Sequence, residues 1–139
     1  MDIRYACMSL DNYDDSLALW QSIPEIRLNN ADNLDSMRKY LQRNPAQSFV
    51  CKHQDEIIGT IMCGNDGRRA FIYHLAVAPA HRRRGIGGEL VRLAVQEQVK
   101  LGIDTCALFI LNDNNNGKEF WSQLGFSFVE EAAAMAKTI

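Results

Sequence analysis

A strand–turn–helix pattern in the second half of the chain constrains the fold more than any other sequence feature. Residues 71–78 form an apolar run with the length and composition of a buried strand, closed by Pro79. Residues 87–101 follow with apolar side chains at helical spacing, and Gly102 ends them. A further buried strand is predicted at residues 106–111. Strands that alternate with helices in this way indicate a mixed α/β domain rather than a helical bundle or a β-sandwich.

Further helices and strands are predicted before and after this central segment. Two amphipathic helices are predicted early, at residues 11–22 and after a cap at Asp32 or Asn33, with the second ending near Pro45. A short helix is predicted over residues 116–124. The remaining predicted strands, recognised as short apolar runs between turn residues, are 3–7, 48–52, 57–63, 126–129 and 134–139. The predicted order is therefore β-α-α-β-β-β-α-β-α-β-β, within a single domain of residues 1–139.

Composition excludes several classes of protein. Hydrophobic residues make up 47% of the chain and charged residues 23%, which is typical of a globular domain. No apolar run is long enough to cross a bilayer, and the N-terminus lacks the pattern of a signal peptide, so we expect a cytoplasmic protein without a membrane partner. The formal net charge of −2 gives no electrostatic support to nucleic-acid binding.

Cysteine and histidine spacing argues against a metal site. None of the four cysteines forms a Cys-x-x-Cys pair, and the three histidines are far apart. Zinc sites and disulfide frameworks both depend on regular ligand or cysteine spacing. We therefore predict buried, reduced thiols and no bound metal.

The turn between the central strand and helix has the composition of an anion-binding site. Gly85, Gly87 and Gly88 permit unusual backbone conformations and close approach of a ligand. The helix start presents unpaired N–H groups and a positive dipole, and Arg82, Arg83 and Arg84 add full positive charges. Together these features predict a diphosphate site. A solvated loop is the simpler alternative. A dinucleotide-binding turn is a third interpretation, but Leu90 stands where its third glycine belongs.

Two motifs carry a resemblance to a known family. Arg82-x-x-Gly85-x-Gly87, preceded by Leu75-Ala76-Val77-x-Pro79-x-His81, is similar to the cofactor-binding signature of the GNAT superfamily of N-acetyltransferases. Residues 114–126, which read Asn-Asn-Asn-Gly-Lys-Glu-Phe-Trp-Ser-Gln-Leu-Gly-Phe, resemble that family's Asn-x-x-Ala-x-x-x-Tyr-x-x-Leu-Gly-Phe block. A helix and a strand separate the two motifs, as in the family.

The resemblance implies a fold and a co-substrate. It implies a GNAT-like fold, with a central mixed but mostly antiparallel sheet of about six or seven strands, splayed between strands 4 and 5 and flanked by about four helices. Acetyl-CoA would be the co-substrate and would lie in the splay.

The implied cofactor-binding residues on the strand and turn are Leu75, Ala76, Val77, Arg82, Arg83, Arg84, Gly85, Ile86, Gly87 and Gly88. The first three would pair with the pantetheine arm like an added strand, and the amides of the turn would hold the pyrophosphate. Asn114 would also lie near the pantetheine, and it can cap a helix as well.

The resemblance further implies candidates for chemistry on the acceptor amine. Trp121 stands where the family often has a tyrosine that can protonate the CoA thiolate. An indole N–H is only a weak hydrogen-bond donor, so the two interpretations of Trp121 are a general acid and a side chain that packs beside the cofactor. Family members often use a side chain on the fourth strand to deprotonate the amine, and here the candidates are Tyr73 and His74. Strand alternation predicts that Tyr73 faces the cleft and that His74 lies on the opposite face, under a helix. In the loop beside the acceptor pocket, Glu25 could bind an ammonium and Arg27 a carboxylate, although a solvated loop is the alternative.

Three functions follow from these features. The first is an acyl-CoA-dependent N-acetyltransferase that acts on a primary amine of a small molecule or protein, by direct attack in a ternary complex. The second is a non-catalytic acyl-CoA-binding sensor or regulatory domain, and the third is a phosphate-binding module. The block at residues 114–126 argues against the third, because phosphate binding alone does not require it. A homodimer is compatible with all three.

Overall fold

Five strands form one sheet in the order β1-β2-β3-β4-β5 in the computed structural model, which describes residues 2–139. The strands are β1 (Ile3–Cys7), β2 (Phe49–His53), β3 (Glu56–Asn65), β4 (Ala70–Val77) and β5 (Cys106–Leu108). The helices are α1 (Tyr13–Gln21), α2 (Leu34–Arg43), α3 (Ile86–Lys100) and α4 (Asn115–Gln123), with short 3₁₀ turns at Leu10–Asn12, Asn30–Asp32 and Pro79–His81. The predicted mixed α/β class is confirmed.

The sheet opens between its fourth and fifth strands. The pairs β1–β2, β2–β3 and β3–β4 are antiparallel, whereas β4 and β5 run parallel. Pairing of β4 with β5 covers only Ala70 to Ile72, and β4 then continues to Val77 beyond the end of β5. The predicted splay between strands 4 and 5 is therefore confirmed. It leaves one edge of β4 open over residues 73–77.

A β-bulge lies in β4 at the start of this open edge. Thr60 of β3 pairs with Ala76, but Met62 pairs with Tyr73, so two residues of β4 stand opposite one residue of β3. One of these two, His74, has a φ of +48°, in the left-handed region. A bulge interrupts the alternation of side chains along a strand, and it does so here beside two candidate site residues.

The predicted number of strands is wrong. Instead of six or seven strands the described residues form five, and neither 126–129 nor 134–139 is a strand. Both segments contain exposed apolar side chains, among them Phe128 and Met135. A short apolar run has strand propensity, but it becomes a strand only where a partner strand supplies hydrogen bonds and a packing surface.

Helices cover both faces of the sheet. On one face α1 and α2 pack onto a cluster that includes Trp20, Met37, Met62 and Ala76. On the other face α3 approaches closely, since a Cβ on Gly59 would stand 3.1 Å from Ile86 and 3.2 Å from Leu90. Gly59 therefore allows α3 to seat against β3.

The described residues fall into two compact units, the first up to Phe109 and the second Ile110–Ile139. The first unit contains the sheet and α1 to α3, and the second contains α4. A single domain over residues 1–139 stays a prediction. In the part of the chain that the structure describes, no helix has the length and apolar character needed to cross a membrane.

Candidate active site

The turn between β4 and α3 combines two left-handed residues with a helix start. Arg83 has a φ of +65° and Gly85, the N-cap of α3, has a φ of +77°. Glycine adopts this conformation readily, whereas arginine does so at a cost in strain. Glu89 N–H is bonded to the Gly85 carbonyl at 3.0 Å, so the N–H groups of residues 86–88 precede the first helical hydrogen bond. The turn thus ends in a set of backbone donors suited to an anion.

Charges around the turn favour an anion as well. Arg82, Arg83 and Arg84 are all exposed. Arg82 Nε donates to the Val77 carbonyl at 3.1 Å, which ties the turn back to the end of β4. The acidic residue in the first turn of α3, Glu89, is bonded to Arg92 at 2.5 Å, and this hydrogen bond holds the pKa of the Glu89 carboxyl below its usual range. The negative charge nearest the helix start is therefore paired.

The open edge of β4 leads directly into this turn. Ala76 is buried, and Leu75 and Val77 are half-buried. Beyond its pairing with β5, this edge presents main-chain N–H and C=O groups that can bond to an extended ligand, as an added strand would. The strand edge and the helix start thus form a continuous surface for a ligand with an amide-containing arm and a phosphate group.

His74 is held in a buried polar network. Its Nε2 lies 2.6 Å from Oδ1 of Asp32, and its ring centroid lies 4.7 Å from that of Trp20 in α1. Thr60 Oγ1 donates to the His74 carbonyl at 2.9 Å and accepts from Trp20 Nε1 at 2.8 Å. From the sequence, Asp32 is predicted only as one of two possible caps of the second helix. The α2 cap is Asn33, whose side chain accepts from Ser36 N–H at 2.9 Å.

Tyr73 lies beside His74 on the same face of the sheet. Its ring is 41% exposed, stacks on Phe71 at 6.2 Å and meets Tyr40 of α2 edge-on at 6.3 Å. Partial burial raises the pKa of the Tyr73 phenol above its usual range, so the group stays protonated at neutral pH. The prediction that Tyr73 and His74 face opposite sides is wrong, because the bulge places both rings against the helices of the α1–α2 layer.

The acceptor-loop candidates lie between α1 and α2. Glu25 and Arg27 are both exposed. The end of this loop is ordered by a capping box, in which Asn29 N–H donates to Asp32 Oδ2 at 3.0 Å and Ala31 N–H donates to the Asn29 side chain at 2.8 Å. The loop therefore ends on the carboxylate that also contacts His74.

The second unit contains the two remaining candidates. Asn114 caps α4, as predicted, because its side chain accepts from Gly117 N–H at 2.9 Å. A Cβ at position 117 would stand 2.5 Å from the Asn114 amide nitrogen, so glycine there leaves room for the cap. Trp121 is half-buried and meets Phe120 edge-on at 5.1 Å and Phe126 at 5.0 Å. Cofactor roles for Asn114 and Trp121 stay predictions.

The splayed mixed sheet, with an open strand edge that leads into an anion-binding helix start, is the architecture of transferases that use an acyl-CoA thioester. The model of the Acetyltransferase (GNAT) family matches residues 13–126, and the chain belongs to this family. It is therefore an N-acetyltransferase, and the predicted family and activity are confirmed. Among the described residues, no group of histidine, cysteine and acidic side chains could hold a metal ion.

Individual relatives agree with this assignment. Acetyltransferase SG1711 of Sodalis glossinidius (strain morsitans) is 26% identical over 129 residues, which cover 93% of this chain and 90% of that protein. Acetyltransferase ECA0875 of Pectobacterium atrosepticum is 28% identical over 120 residues, or 86% and 84% of the two chains. The structure of the PaiA N-acetyltransferase from Thermoplasma acidophilum in complex with coenzyme A shares the fold, with a TM-score of 0.75, 17% identity and coverage of 91% of each chain.

Proposed function

We propose that this protein transfers the acetyl group of acetyl-CoA to a primary amine of a small molecule or a protein, by direct attack of the amine in a ternary complex. The observation that carries the proposal is the β4 bulge. It places two proton-handling side chains, Tyr73 and His74, on one face of the strand at the start of its open edge. A sensor domain would need the cofactor surface but not this pair of groups.

The proposed cofactor surface consists of the open edge of β4 and the turn before α3, and each of these fits one part of a CoA molecule. Leu75, Ala76 and Val77 would pair with the amides of the pantetheine arm along the open edge of β4. Backbone N–H groups from Arg83 to Gly88 would hold the pyrophosphate, with the arginine side chains as counter-charges. The left-handed conformations at Arg83 and Gly85 support this assignment, because they turn the chain so that successive N–H groups precede the helix.

The acceptor amine must be deprotonated before the transfer can take place. An alkylammonium group has a pKa of about 10.4 in water and must lose a proton before it attacks the thioester. We assign this proton to His74, taken directly or through a water molecule. The Tyr73 phenol, which is protonated at neutral pH, would donate to the departing thiolate. Glu25 and Arg27 would contact the acceptor from the loop between α1 and α2.

A cytoplasmic location and a homodimer complete the proposal. All four cysteines are free thiols, and Cys51 and Cys63 are buried, which suits a reducing compartment. Fractionation of the host cells and light scattering on the purified protein test these two points separately.

Thiol release from acetyl-CoA in the presence of a panel of primary amines tests the proposed activity, with isothermal titration of CoA alongside. We expect binding of CoA in the low-micromolar to submillimolar range and turnover with at least one class of amine. Binding without turnover on any primary amine would overturn the proposed class of acceptor.

Tyr73→Phe is expected to lower kcat by at least about tenfold while leaving the Kd for CoA nearly unchanged, because only the hydroxyl is lost. Tyr40→Phe is the matched control. It removes a buried hydroxyl that has no hydrogen-bond partner among the described residues, from the ring that meets Tyr73 edge-on. Equal kcat values for Tyr73→Phe and the unmodified protein would exclude the phenol from proton transfer.

Trp121→Phe is expected to retain most of the activity, since the indole packs against Phe120 and Phe126 and an aromatic ring is kept. Trp121→Tyr should bring little gain for the same reason. Initial rates at saturating acetyl-CoA measure both effects. A loss of several hundred-fold, about 3 to 4 kcal/mol of transition-state stabilisation, would be too large for a packing change and would assign the indole N–H a direct role.

A further inference from the structure

We propose that Asp32 is the positioning residue of a His74–Asp32 pair, in which the carboxylate holds the imidazole with its proton on Nε2 and leaves Nδ1 to accept a proton from the acceptor amine. The inference rests on the proposed function, which assigns the amine proton to His74. Asp32 itself would contact neither the acceptor nor the thioester. It would act only through the ring that it orients.

Each oxygen of the Asp32 carboxylate has one hydrogen-bond partner among the described residues, and these two contacts fix its orientation. Oδ1 lies 2.6 Å from His74 Nε2, and Oδ2 accepts from Asn29 N–H at 3.0 Å. The Asp32 carbonyl accepts from the Tyr13 hydroxyl at 2.7 Å. A carboxylate only accepts hydrogen bonds, so Nε2 carries the proton that lies between the two side chains. In the part of the chain that the structure describes, no residue bonds to the other ring nitrogen, Nδ1.

Burial separates this contact from a surface ion pair. The side chains of His74 and Asp32 are 13% and 9% exposed. A buried pair of this kind contributes little net stability compared with apolar residues of the same volume, because both groups lose their hydration. The hydrophobic cluster beneath α1 and α2 includes Trp20, Met37 and Met62. Packing therefore gives no reason for a carboxylate and an imidazole at this point, whereas acid–base chemistry does.

The backbone of His74 is held as firmly as its ring. Its φ of +48° is uncommon for a residue with a side chain, and such strain is found at functional sites. Trp20 bonds to Thr60, and Thr60 bonds to the His74 carbonyl, so α1 and β3 both restrain the bulge. Asp32 adds the third restraint from the 3₁₀ turn that ends the acceptor loop. An acceptor that changes the conformation of this loop would therefore also change the position of the imidazole.

The chemical step is balanced by these groups. One N–H bond of the acceptor ammonium breaks and its proton passes to Nδ1 of His74, directly or through water. The nitrogen lone pair forms the new C–N bond. As the C–S bond breaks, its electron pair leaves on sulfur, which takes a proton from the Tyr73 phenol or from solvent. The nitrogen then loses its second N–H proton to the Tyr73 phenolate, which restores the phenol, or to solvent, and the neutral amide is left. Asp32 stays ionised and stabilises the imidazolium, which then returns its proton to solvent, as carboxylates do beside other catalytic histidines.

The test compares His74→Gly, Asp32→Asn and the double variant in full-length protein. Glycine suits the left-handed backbone at position 74 and leaves a cavity for added imidazole. We expect His74→Gly to lower kcat by about 10²-fold or more and Asp32→Asn by about tenfold or more, with the Kd for CoA within about twofold of the parent value. In the His74→Gly background the Asp32 change should lower kcat no further, because groups that act as a unit are not additive.

Chemical rescue distinguishes positioning from support of the fold. Imidazole should restore part of the turnover of His74→Gly and much less of that of the double variant, since the added ring then lacks its orienting carboxylate. Tyr13→Phe is the matched control. It removes the hydrogen bond to the Asp32 carbonyl but leaves the carboxylate in place, so kcat should stay within about twofold even if the melting temperature falls. If Asp32→Asn does not fold, Asp32→Glu replaces it, and its kcat should lie between those of the parent and His74→Gly.

Two results would overturn the proposal that Asp32 positions His74. One is an unchanged kcat for Asp32→Asn with a lowered melting temperature, and the other is equal imidazole rescue with and without Asp32. Failure of the proposed function has a different signature, namely a parent protein that binds CoA and acetylates no amine.

Discussion

Replacing Gly87 with valine is expected to weaken CoA binding by more than about 10²-fold, close to 3 kcal/mol of binding free energy. Gly87 is the second residue of α3, and its N–H precedes the first helical hydrogen bond. In the proposed site, a β-branched side chain at this position would stand where the pyrophosphate approaches the backbone, and it would separate the phosphate oxygens from several N–H donors at once. Isothermal titration with CoA measures the effect.

Gln96→Val is the matched control for this change. It places the same β-branched side chain on an exposed position of the same helix, away from the turn. Its cost should be limited to helix propensity, a few tenths of a kcal/mol in stability, with CoA affinity retained. If the titration curves for Gly87→Val matched those of the parent, the pyrophosphate could not bind at this turn.

Trp20→Ala is expected to lower the free energy of unfolding by about 3 to 5 kcal/mol. The indole is fully buried between α1 and the sheet, and it packs in the cluster that contains Met37 and Met62. Truncation leaves a cavity and removes the N–H that bonds to Thr60 Oγ1. It also takes away the ring against which His74 rests, so any remaining folded protein should lose turnover as well.

Urea denaturation measures the loss, and Val99→Ala is the control. Val99 lies in α3 with 67% of its surface exposed, and its truncation should change stability by no more than about 0.5 kcal/mol. If Trp20→Ala cost less than about 1 kcal/mol, the indole could not be packed as described, and the restraint it places on the β4 bulge would have to be abandoned.

Local patterns predicted most of the elements that position the cofactor surface. The strand at residues 3–7 agrees with β1, and the helix expected over residues 87–101 agrees with α3 to within one residue at each end. The cap on α4 was also predicted, at Asn114. These features depend on side-chain periodicity and on the conformational preferences of glycine and asparagine, both of which operate over a few neighbouring residues.

The C-terminal segment shows where such patterns stop being sufficient. Residues 126–129 and 134–139 have strand-like composition but are not strands, because a strand is completed by hydrogen bonds from a second segment. Composition reports the tendency of one segment only. It therefore overestimated the number of strands while placing the class of fold correctly.

The strand–turn–helix from β4 to α3 and its predicted affinity for an anion follow from neighbouring residues, because glycine conformations, helix ends and arginine charges act locally. The arrangement of the proposed acid–base groups cannot be predicted in this way. It depends on a bulge that is defined by the register of β4 against β3, and on a contact between His74 and Asp32 across 42 positions of the chain. Neither leaves a periodic signal, since each exists only after two distant segments have packed together.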